Sequence, residues 1–246
     1  MFTNNAKSSL YEHVSHLREQ FHIAPASFPL QLAPLFQQHA ICVEHRAFQT
    51  PGLCALAFLG EKTDTVVLND NRSPLEQNFD CGHELIHLTK HRNLKRDYFN
   101  CFTTAKPSQS PFLEWEANEG AAELLVPYQV FLPLLLEESR IHCRAPKKII
   151  PSLARQFQVT PAVIECRIGS LQYELYQYCI LQLPLCDVKL HSQRELRRKH
   201  LSHLHAFSYY CPQCLFQVNR DDTHCRYCGA SMPPEGAFYG LGYRFH

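Results

Sequence analysis

The spacing of apolar and polar residues along the chain predicts helices around a small group of strands. Helical spacing runs through residues 8–22 and again through residues 30–39. Runs rich in apolar and β-branched residues follow, and they predict strands at 41–45, 53–59 and 65–68. Because short connections join these strands, we expect one small, largely antiparallel sheet, with Gly60 in a hairpin turn. The pattern therefore predicts an α+β fold.

A capping box marks the start of the helix that follows the sheet. Ser73 stands at the cap position, Pro74 is the first helical residue, and Glu76 comes three residues after the cap. We expect this helix to run through His87 or slightly beyond. Further helical spacing follows a polar loop and predicts a helix over 112–126 and two short helices within 152–173.

The composition indicates a globular protein without a strong overall electrostatic field. Apolar residues make up 45% of the 246 residues, and the formal net charge is +1. The first residues contain no apolar run of signal-peptide length, and the most apolar stretch, residues 121–136, is interrupted by Glu123, Pro127 and Pro133. That stretch is also shorter than the roughly 20 residues that span a bilayer. We therefore expect a soluble protein of the cytoplasm without a membrane partner.

The helix after the capping box carries the sequence His-Glu-Leu-Ile-His at residues 83–87. Histidines four residues apart project from one helix face, about 6 Å apart along the axis, so both imidazoles can reach one zinc ion. Glu84 is placed to take a proton from a water molecule on that metal, whose pKa zinc lowers. Apolar neighbours on both sides indicate a buried helix, where unpaired histidines are costly. The pattern predicts a zinc-dependent peptidase.

A catalytic zinc site of this kind needs a third protein ligand, and spacing alone does not select it. His91 lies one turn beyond His87 but about 12 Å from His83 on a straight helix, so we interpret it as a capping or supporting residue. We interpret Glu114 and Glu119, on the second helix, as part of a solvent-facing charged surface. The residues that remain open as ligands lie on that second helix, which carries Glu114, Glu116, Glu119 and Glu123.

Two stretches resemble the ImmA/IrrE family of zinc metallopeptidases, and the resemblance covers about residues 30–175. Residues 78–88, Asn-Phe-Asp-Cys-Gly-His-Glu-Leu-Ile-His-Leu, resemble the zinc helix of that family. Residues 114–127 resemble its stretch E-x-E-A-N-x-F-A-A-x-L-L-x-P, which is long and specific. The resemblance implies a pared-down thermolysin-like (gluzincin) domain, with a small sheet over the zinc helix and a second, glutamate-bearing helix.

The resemblance also implies roles for individual residues. The chain departs from the family pattern where Ile86 replaces the usual glycine and Gly120 replaces the usual phenylalanine, and we expect the second change to leave space beside the helix. Neither change removes a ligand. The implied roles are catalytic zinc ligands for His83, His87 and Glu116, general base for Glu84, and support of the site for Asn118.

Members of the ImmA/IrrE family commonly cleave helix-turn-helix transcriptional repressors and so relieve repression of stress or mobile-element genes. The resemblance therefore implies a zinc endopeptidase whose partner is such a repressor. Residues 152–171 resemble the helix-turn-helix-like region of the family, although the same apolar spacing occurs in any packed helix pair. The alternative is a non-catalytic regulator that binds DNA or protein with the helix pair and the ribbon. The intact His83, Glu84, His87 and Glu116 argue against it, because a scaffold does not require the base.

A second metal-binding pattern closes the chain. The pairs Cys211-Pro-Gln-Cys214 and Cys225-Arg-Tyr-Cys228 have the spacing of a zinc ribbon, in which four thiolates complete a tetrahedral shell. Such a site has no open position, so we expect one structural zinc ion here besides one catalytic zinc ion. The other eight cysteines are scattered among apolar residues and are interpreted as reduced, buried thiols.

The basic stretch before the ribbon, residues 186–206, is interpreted as a linker or an exposed, solvated helix. Contact with nucleic acid through the ribbon and this linker stays open as an alternative. Together these patterns divide the chain into six segments. They are an N-terminal helical segment (1–29), a zinc metallopeptidase domain (30–150), a helix-turn-helix-like region (151–185), the basic linker (186–206), the zinc ribbon (207–232) and a tail (233–246).

Overall fold

A computed structural model describes residues 6–24, 27–94, 96–142, 145–206, 209–214, 216–219, 222–232 and 238–239. The chain forms two compact units. The histidine unit comprises Ser9–Pro127 and Ala154–Ile164, and the cysteine unit comprises Met1–Ser8, Tyr128–Leu153 and Glu165–His246. The six-segment division made from the sequence stays a prediction, and most of its tail lies outside the described residues.

Helices and small sheets make up the described part of the chain, as the predicted α+β class requires. The α-helices are α1 (Ala6–Gln20), α2 (Ala33–Phe36), α3 (Pro74–Lys90), α4 (Pro111–Leu125), α5 (Tyr128–Ile141), α6 (Ile149–Phe157), α7 (Pro161–Ser170), α8 (Gln172–Cys179) and α9 (Gln193–Arg198). Short 3-10 helices lie at Gln37–His39, Pro146–Lys148 and Leu185–Asp187. The strands are β1 (Ile41–Arg46), β2 (Leu53–Phe58), β3 (Asp64–Asn69), β4 (Tyr98–Phe102), β5 (Tyr209–Tyr210), β6 (Gln217–Val218) and β7 (Phe238–Tyr239).

The sheet of the histidine unit has the strand order β1-β3-β2-β4. β2 pairs antiparallel with β3 and with β4, whereas β1 pairs parallel with β3. The largely antiparallel sheet predicted from the sequence is therefore present, and β2 and β3 form the predicted hairpin. The fourth strand was not predicted, because β4 is a five-residue run between two helices with no neighbouring strand in the sequence. It forms the edge of the sheet nearest to α3.

Helix α3 begins at the predicted capping box. The hydroxyl of Ser73 accepts from the backbone N–H of Glu76, and the Glu76 carboxylate accepts from the backbone N–H of Ser73 at 2.9 Å. Nearly every residue from Asn78 to Leu88 is buried. The Asn78 side-chain amide joins this helix to the segment before α2. It accepts from the backbone N–H of Leu32 and donates to the carbonyl of Leu30. The helix thus lies beneath the sheet as a fixed element.

Small residues allow α3 and α4 to pack closely. A Cβ atom on Gly82 would lie 3.2 Å from Cβ of Ala121, and one on Gly120 would lie 2.8 Å from Cδ1 of Ile86. The space that we expected beside Gly120 is therefore absent, because the isoleucine side chain fills it.

Helix α1 contributes polar groups that hold α4 from the other side. The Arg18 guanidinium donates to the carbonyl of Leu124 at 2.7 Å, and the Tyr11 hydroxyl donates to the Glu119 carboxylate at 2.5 Å. Glu119 is buried. The interpretation of Glu119 as a solvent-facing residue is therefore wrong, because its carboxylate is buried and accepts the hydrogen bond from Tyr11.

The cysteine unit contains a buried ion pair that the sequence did not indicate. Nζ of Lys7 lies 2.9 Å from Oε1 of Glu174 and 2.7 Å from the carbonyl oxygen of Ser170. The same glutamate oxygen accepts from the backbone N–H of His191 at 3.1 Å. Both charged side chains are almost fully buried, so their mutual contact and these hydrogen bonds replace water.

Helices α5 and α8 were also not predicted, whereas α9 falls in the predicted basic linker. A second capping box, formed by Ser192 and Glu195, starts α9. Pro133 lies inside α5, which explains why the apolar stretch did not read as a helix. Among the described residues, no single helix is long and apolar enough to cross a membrane, although α4 and α5 pass the length and composition test as a bent pair.

Candidate metal centres

His83 and His87 lie on consecutive turns of one face of α3. Their Nε2 atoms are 3.1 Å apart, and each residue is about 1% exposed. The ring of His87 stacks on Phe99 of β4, with centroids 4.5 Å apart and an interplanar angle of 13°. The sheet edge therefore fixes the plane of one ring, and the helix spacing brings the two Nε2 atoms together.

A carboxylate from α4 reaches both histidines, and it belongs to Glu114. Its Oε2 lies 3.4 Å from Nε2 of His83, and its Oε1 lies 3.8 Å from Nε2 of His87. One potential ligand atom from each of the three residues lies within 4.8 Å of the other two. The side chain of Glu114 is 14% exposed, so its interpretation as a solvent-facing residue is wrong.

Glu116, which the family resemblance implies as the third ligand, is not brought to these two histidines. Its Oε2 lies 3.0 Å from Nε2 of His91, and its Oε1 lies 3.6 Å from Nζ of Lys90. Residues two apart on a helix are separated by about 200° around the axis, so Glu114 and Glu116 cannot point at the same place. The family stretch contains both glutamates, and the resemblance implies the ligand role for the second of them.

Asn118 and His91 contact the outer nitrogens of the histidine pair. Oδ1 of Asn118 lies 3.1 Å from Nδ1 of His83, and Nδ1 of His91 lies 2.8 Å from Nδ1 of His87. Asn118 follows Glu114 by four residues and so shares its helix face. This spacing was the available signal for Glu114 in the sequence. His91 also caps α3 as expected, since its backbone N–H donates to the carbonyl of His87 at 3.2 Å.

Glu84 is fully buried beside the first histidine. Neither of its carboxylate oxygens has a hydrogen-bond partner among the described residues. One of them lies within 4.8 Å of a ring nitrogen of His83 and of the sulfur of Cys101. Burial raises the pKa of Glu84 from 4.5 to about 8, and the charge of His83 only partly opposes this. The residue can therefore accept and release a proton near neutral pH.

The pKa values of His83 and His87 shift in opposite directions. Burial lowers the pKa of His87 to about 2, and the neighbouring His83 and His91 add to this effect. Burial also disfavours the charged form of His83, but the Glu114 and Glu84 carboxylates outweigh it and raise its pKa. A neutral His87 is the form that offers a lone pair to a metal.

The four cysteines of the predicted ribbon lie together in the cysteine unit. Sγ of Cys211 is 3.8 Å from Sγ of Cys228, and Sγ of Cys214 is 3.6 Å from Sγ of Cys225. All four sulfur atoms are within 4.8 Å of one another. Four thiolates around one zinc ion, each with a Zn–S bond of about 2.3 Å, would lie about 3.8 Å apart. The spacing therefore fits a tetrahedral metal site.

Tight turns shape the loops that carry these cysteines. Gly229 has a positive φ of 72° and donates to the carbonyl of Cys225 at 2.9 Å. Backbone N–H groups of Cys228 and Tyr227 lower the pKa of Cys225 to about 7, which favours the thiolate that a metal requires. Cys211 and Cys225 also form a small buried core with Val218. The loops and the sulfur atoms are thus arranged around one point.

Comparison with known proteins gives a family match for the region that contains the histidine pair. The model of the peptidase M78 family, described as an IrrE N-terminal-like domain, matches residues 37–168, more than half of the chain. Among solved structures, the chain is similar to a Mycobacterium tuberculosis transcriptional regulator, with 17% sequence identity and a TM-score of 0.46. That match covers 67% of this chain and 48% of the other, so the chain spans about half of that structure's length. No curated protein matches the chain.

Proposed function

The chain belongs to the peptidase M78 family, and from this premise we propose that it is a zinc-dependent endopeptidase. The proposed ligands of the catalytic zinc are His83, His87 and Glu114. The observation that carries the proposal is the convergence of two Nε2 atoms and one carboxylate within 4.8 Å, next to a buried glutamate. Three protein ligands leave one position of a tetrahedral zinc ion open, as catalysis requires.

The residues of the site fit a zinc ion. Two imidazole nitrogens and one carboxylate are a donor set that zinc commonly takes in hydrolases. His87 is held neutral, and its Nε2 atom faces the other two proposed ligands. The unpartnered carboxylate of Glu84 is costly in a site without a metal and its water, because a buried carboxylate without hydrogen bonds is destabilising.

Glu84 is the proposed general base. Zinc, when bound, supplies a Lewis acid that polarises a peptide carbonyl and lowers the pKa of water. Glu84 takes the proton from the attacking water and passes it to the leaving amine, and no other residue competes for its carboxylate oxygens among the described residues. Asn118 holds the ring of His83, while Phe99 holds the ring of His87.

A structural zinc ion is the proposed occupant of the cysteine cluster. With a Zn–S shell of Cys211, Cys214, Cys225 and Cys228, a catalytic role is excluded because no open position remains. The small buried core of this region is consistent with folding that depends on the metal. Contact of the ribbon and of the neighbouring basic residues with nucleic acid stays a prediction.

The proposed substrate is a protein, and the resemblance to the ImmA/IrrE family favours a helix-turn-helix transcriptional repressor. Cleavage would relieve repression of stress or mobile-element genes. The test compares new protein N-termini in cells that express either the wild type or Glu84→Gln. This variant removes the base while it keeps the side-chain volume and all three proposed ligands.

The expected result is a set of N-termini that appear only with the wild type and that identify the cleaved protein. The same variant should retain zinc, which is checked by metal analysis of the purified chain. If Glu84→Gln supports the cellular function as well as the wild type does, the peptidase proposal is wrong. The non-catalytic regulator, which binds DNA or protein, would then be the better description.

A further inference from the structure

Each histidine of the proposed catalytic site has a second ring nitrogen, and the structure gives that nitrogen a partner. Nε2 of His83 and Nε2 of His87 face each other and Glu114, so the Nδ1 atoms point away from the proposed metal position. Nδ1 of His83 contacts the amide oxygen of Asn118, whereas Nδ1 of His87 lies 2.8 Å from Nδ1 of His91. His87 is thus held by another histidine, whose own contacts decide which ring donates.

Glu116 sets the direction of this hydrogen bond. Its Oε2 lies 3.0 Å from Nε2 of His91, and because a carboxylate only accepts, His91 carries its proton on Nε2. A neutral His91 then has a lone pair at Nδ1, so Nδ1 of His87 must donate to it. His87 consequently keeps its lone pair on Nε2, the atom that a metal needs. Lys90, 3.6 Å from the other oxygen of Glu116, already supplies this carboxylate with a cation.

Burial restricts the alternatives to this arrangement. His87, His91 and Glu116 are all less than 7% exposed, and the stacking on Phe99 prevents free rotation of the His87 ring. Buried polar groups that lose a hydrogen bond have little water to replace it. The chain of contacts from Glu116 through His91 to His87 is therefore consistent with one set of proton positions.

We propose that His91 and Glu116 are positioning residues that fix His87 in the tautomer presenting Nε2 to the catalytic zinc. The proposal rests on the proposed function, because it assigns both residues to the same metal site. Glu116 then acts two hydrogen bonds away from the metal position and is not a ligand. Partners of metal-binding histidines commonly change metal affinity by about 10–100-fold.

Histidine tautomers provide the first test. The full chain is labelled with ¹⁵N in its histidines, and long-range proton–nitrogen NMR spectra of the metal-free protein identify the protonated nitrogen of each ring. We expect His87 protonated at Nδ1 and His91 protonated at Nε2. In Glu116→Ala, both rings should populate both neutral tautomers. A His87 ring that is protonated at Nε2 in the wild type would overturn the proposal.

Zinc affinity provides a second test that needs no peptidase activity. In competition with a chromophoric chelator, Glu116→Ala and His91→Phe should bind the catalytic zinc about 10–100-fold more weakly than the wild type. Glu116→Gln keeps the side-chain volume and an acceptor oxygen, so its loss of zinc affinity should be smaller. If Glu116→Ala does not fold, the glutamine variant is compared with the wild type instead, and an unchanged zinc affinity would contradict the proposal. Glu119→Gln is the matched control, because Glu119 is a buried glutamate of the same helix that bonds Tyr11.

The outcomes separate this proposal from the proposed function. An active peptidase whose zinc affinity and histidine tautomers do not respond to changes at Glu116 would overturn the positioning role alone. A chain without peptidase activity in which Glu116→Ala still weakens zinc binding would overturn the proposed activity, while the positioning role would stand.

Discussion

Gly120 and Ile86 share one space between α3 and α4, since a Cβ atom on the glycine would lie 2.8 Å from both Cγ1 and Cδ1 of the isoleucine. In the ImmA/IrrE pattern the corresponding residues are usually phenylalanine and glycine. The chain has therefore exchanged a large and a small residue across the helix contact. In this chain the side chain that fills the space comes from α3, the helix that carries two of the proposed ligands.

This relationship predicts that the two positions are energetically coupled. Gly120→Phe alone should destabilise the protein by about 1–3 kcal/mol or more, because the ring would overlap Ile86. Ile86→Gly alone should also destabilise it, since it leaves a cavity and places a glycine inside a helix. The double variant Ile86→Gly/Gly120→Phe should be more stable than the sum of the single effects predicts. Urea unfolding of all four proteins measures the coupling, and strictly additive effects would contradict it.

The sequence identified helix α3 correctly because its signals are local. Ser73 and Glu76 form the predicted cap within one turn, and the spacing of His83 and His87 alone places them on one face. The position of a helix face relative to a second helix is not local information. Glu114, two residues before Glu116, was therefore misjudged, although both lie in the stretch that resembles the family.

Long-range pairs could not be derived from the chain pattern either. Lys7 and Glu174 are 167 positions apart, and nothing in their immediate neighbourhoods distinguishes them from surface charges. Strand β4 was missed for a related reason, since this five-residue strand forms by pairing with β2, which is distant in the sequence. In each case the tertiary partner decides the structure.

The buried pair of Lys7 and Glu174 predicts an asymmetric response to substitution. Lys7→Met should cost about 3–5 kcal/mol of stability, because it leaves the Glu174 carboxylate buried without its cation. Lys7→Met/Glu174→Leu should cost less than the single change, since neither charge remains buried. Lys147→Met, at an exposed lysine, is the control. Denaturant unfolding decides the matter, and a double variant less stable than Lys7→Met would contradict this explanation.

The assignment of the third ligand predicts a ranking of glutamate variants. Glu116→Gln should weaken the binding of the catalytic zinc by at most about 10–100-fold. Glu114→Gln should weaken it further, because only Glu114 approaches both Nε2 atoms. Glu119→Gln should bind zinc as the wild type does. Metal analysis after dialysis against a weak chelator measures this ranking. A Glu116→Gln protein that loses zinc more readily than Glu114→Gln would restore the ligand implied by the resemblance.

The cysteine cluster predicts a metal loss that is independent of the catalytic site. Cys225→Ser should remove the ribbon zinc, since the remaining three thiolates no longer complete the shell. Catalytic zinc should remain, so the zinc content should fall by one ion per chain. Cys186→Ser is the control, because Cys186 lies outside the cluster and is exposed, although the sequence predicted a buried thiol there. An unchanged zinc content in Cys225→Ser would show that the cluster does not hold the metal.

The raised pKa of Glu84 predicts how the stability of the metal-free protein depends on pH. The pKa rises from 4.5 in the unfolded chain to about 8 in the folded state, so between these values the folded state binds more protons. The contribution of Glu84 to stability is therefore fully present below about pH 4.5 and is lost as the pH rises to 8. The slope is at most about 1.4 kcal/mol per pH unit for this one group.

Glu84→Gln removes this contribution together with the coupling between Glu84 and His83, because glutamine does not titrate. The free energy of unfolding of the wild type, minus that of the variant, should therefore decrease by a few kcal/mol between pH 4.5 and 8. Saturating zinc should abolish this decrease, since a nearby cation favours the charged carboxylate and brings its pKa back toward the unfolded value. Urea unfolding at several pH values, with and without zinc, gives both curves. A difference that stays constant with pH in the metal-free proteins would show that burial does not raise the pKa of Glu84.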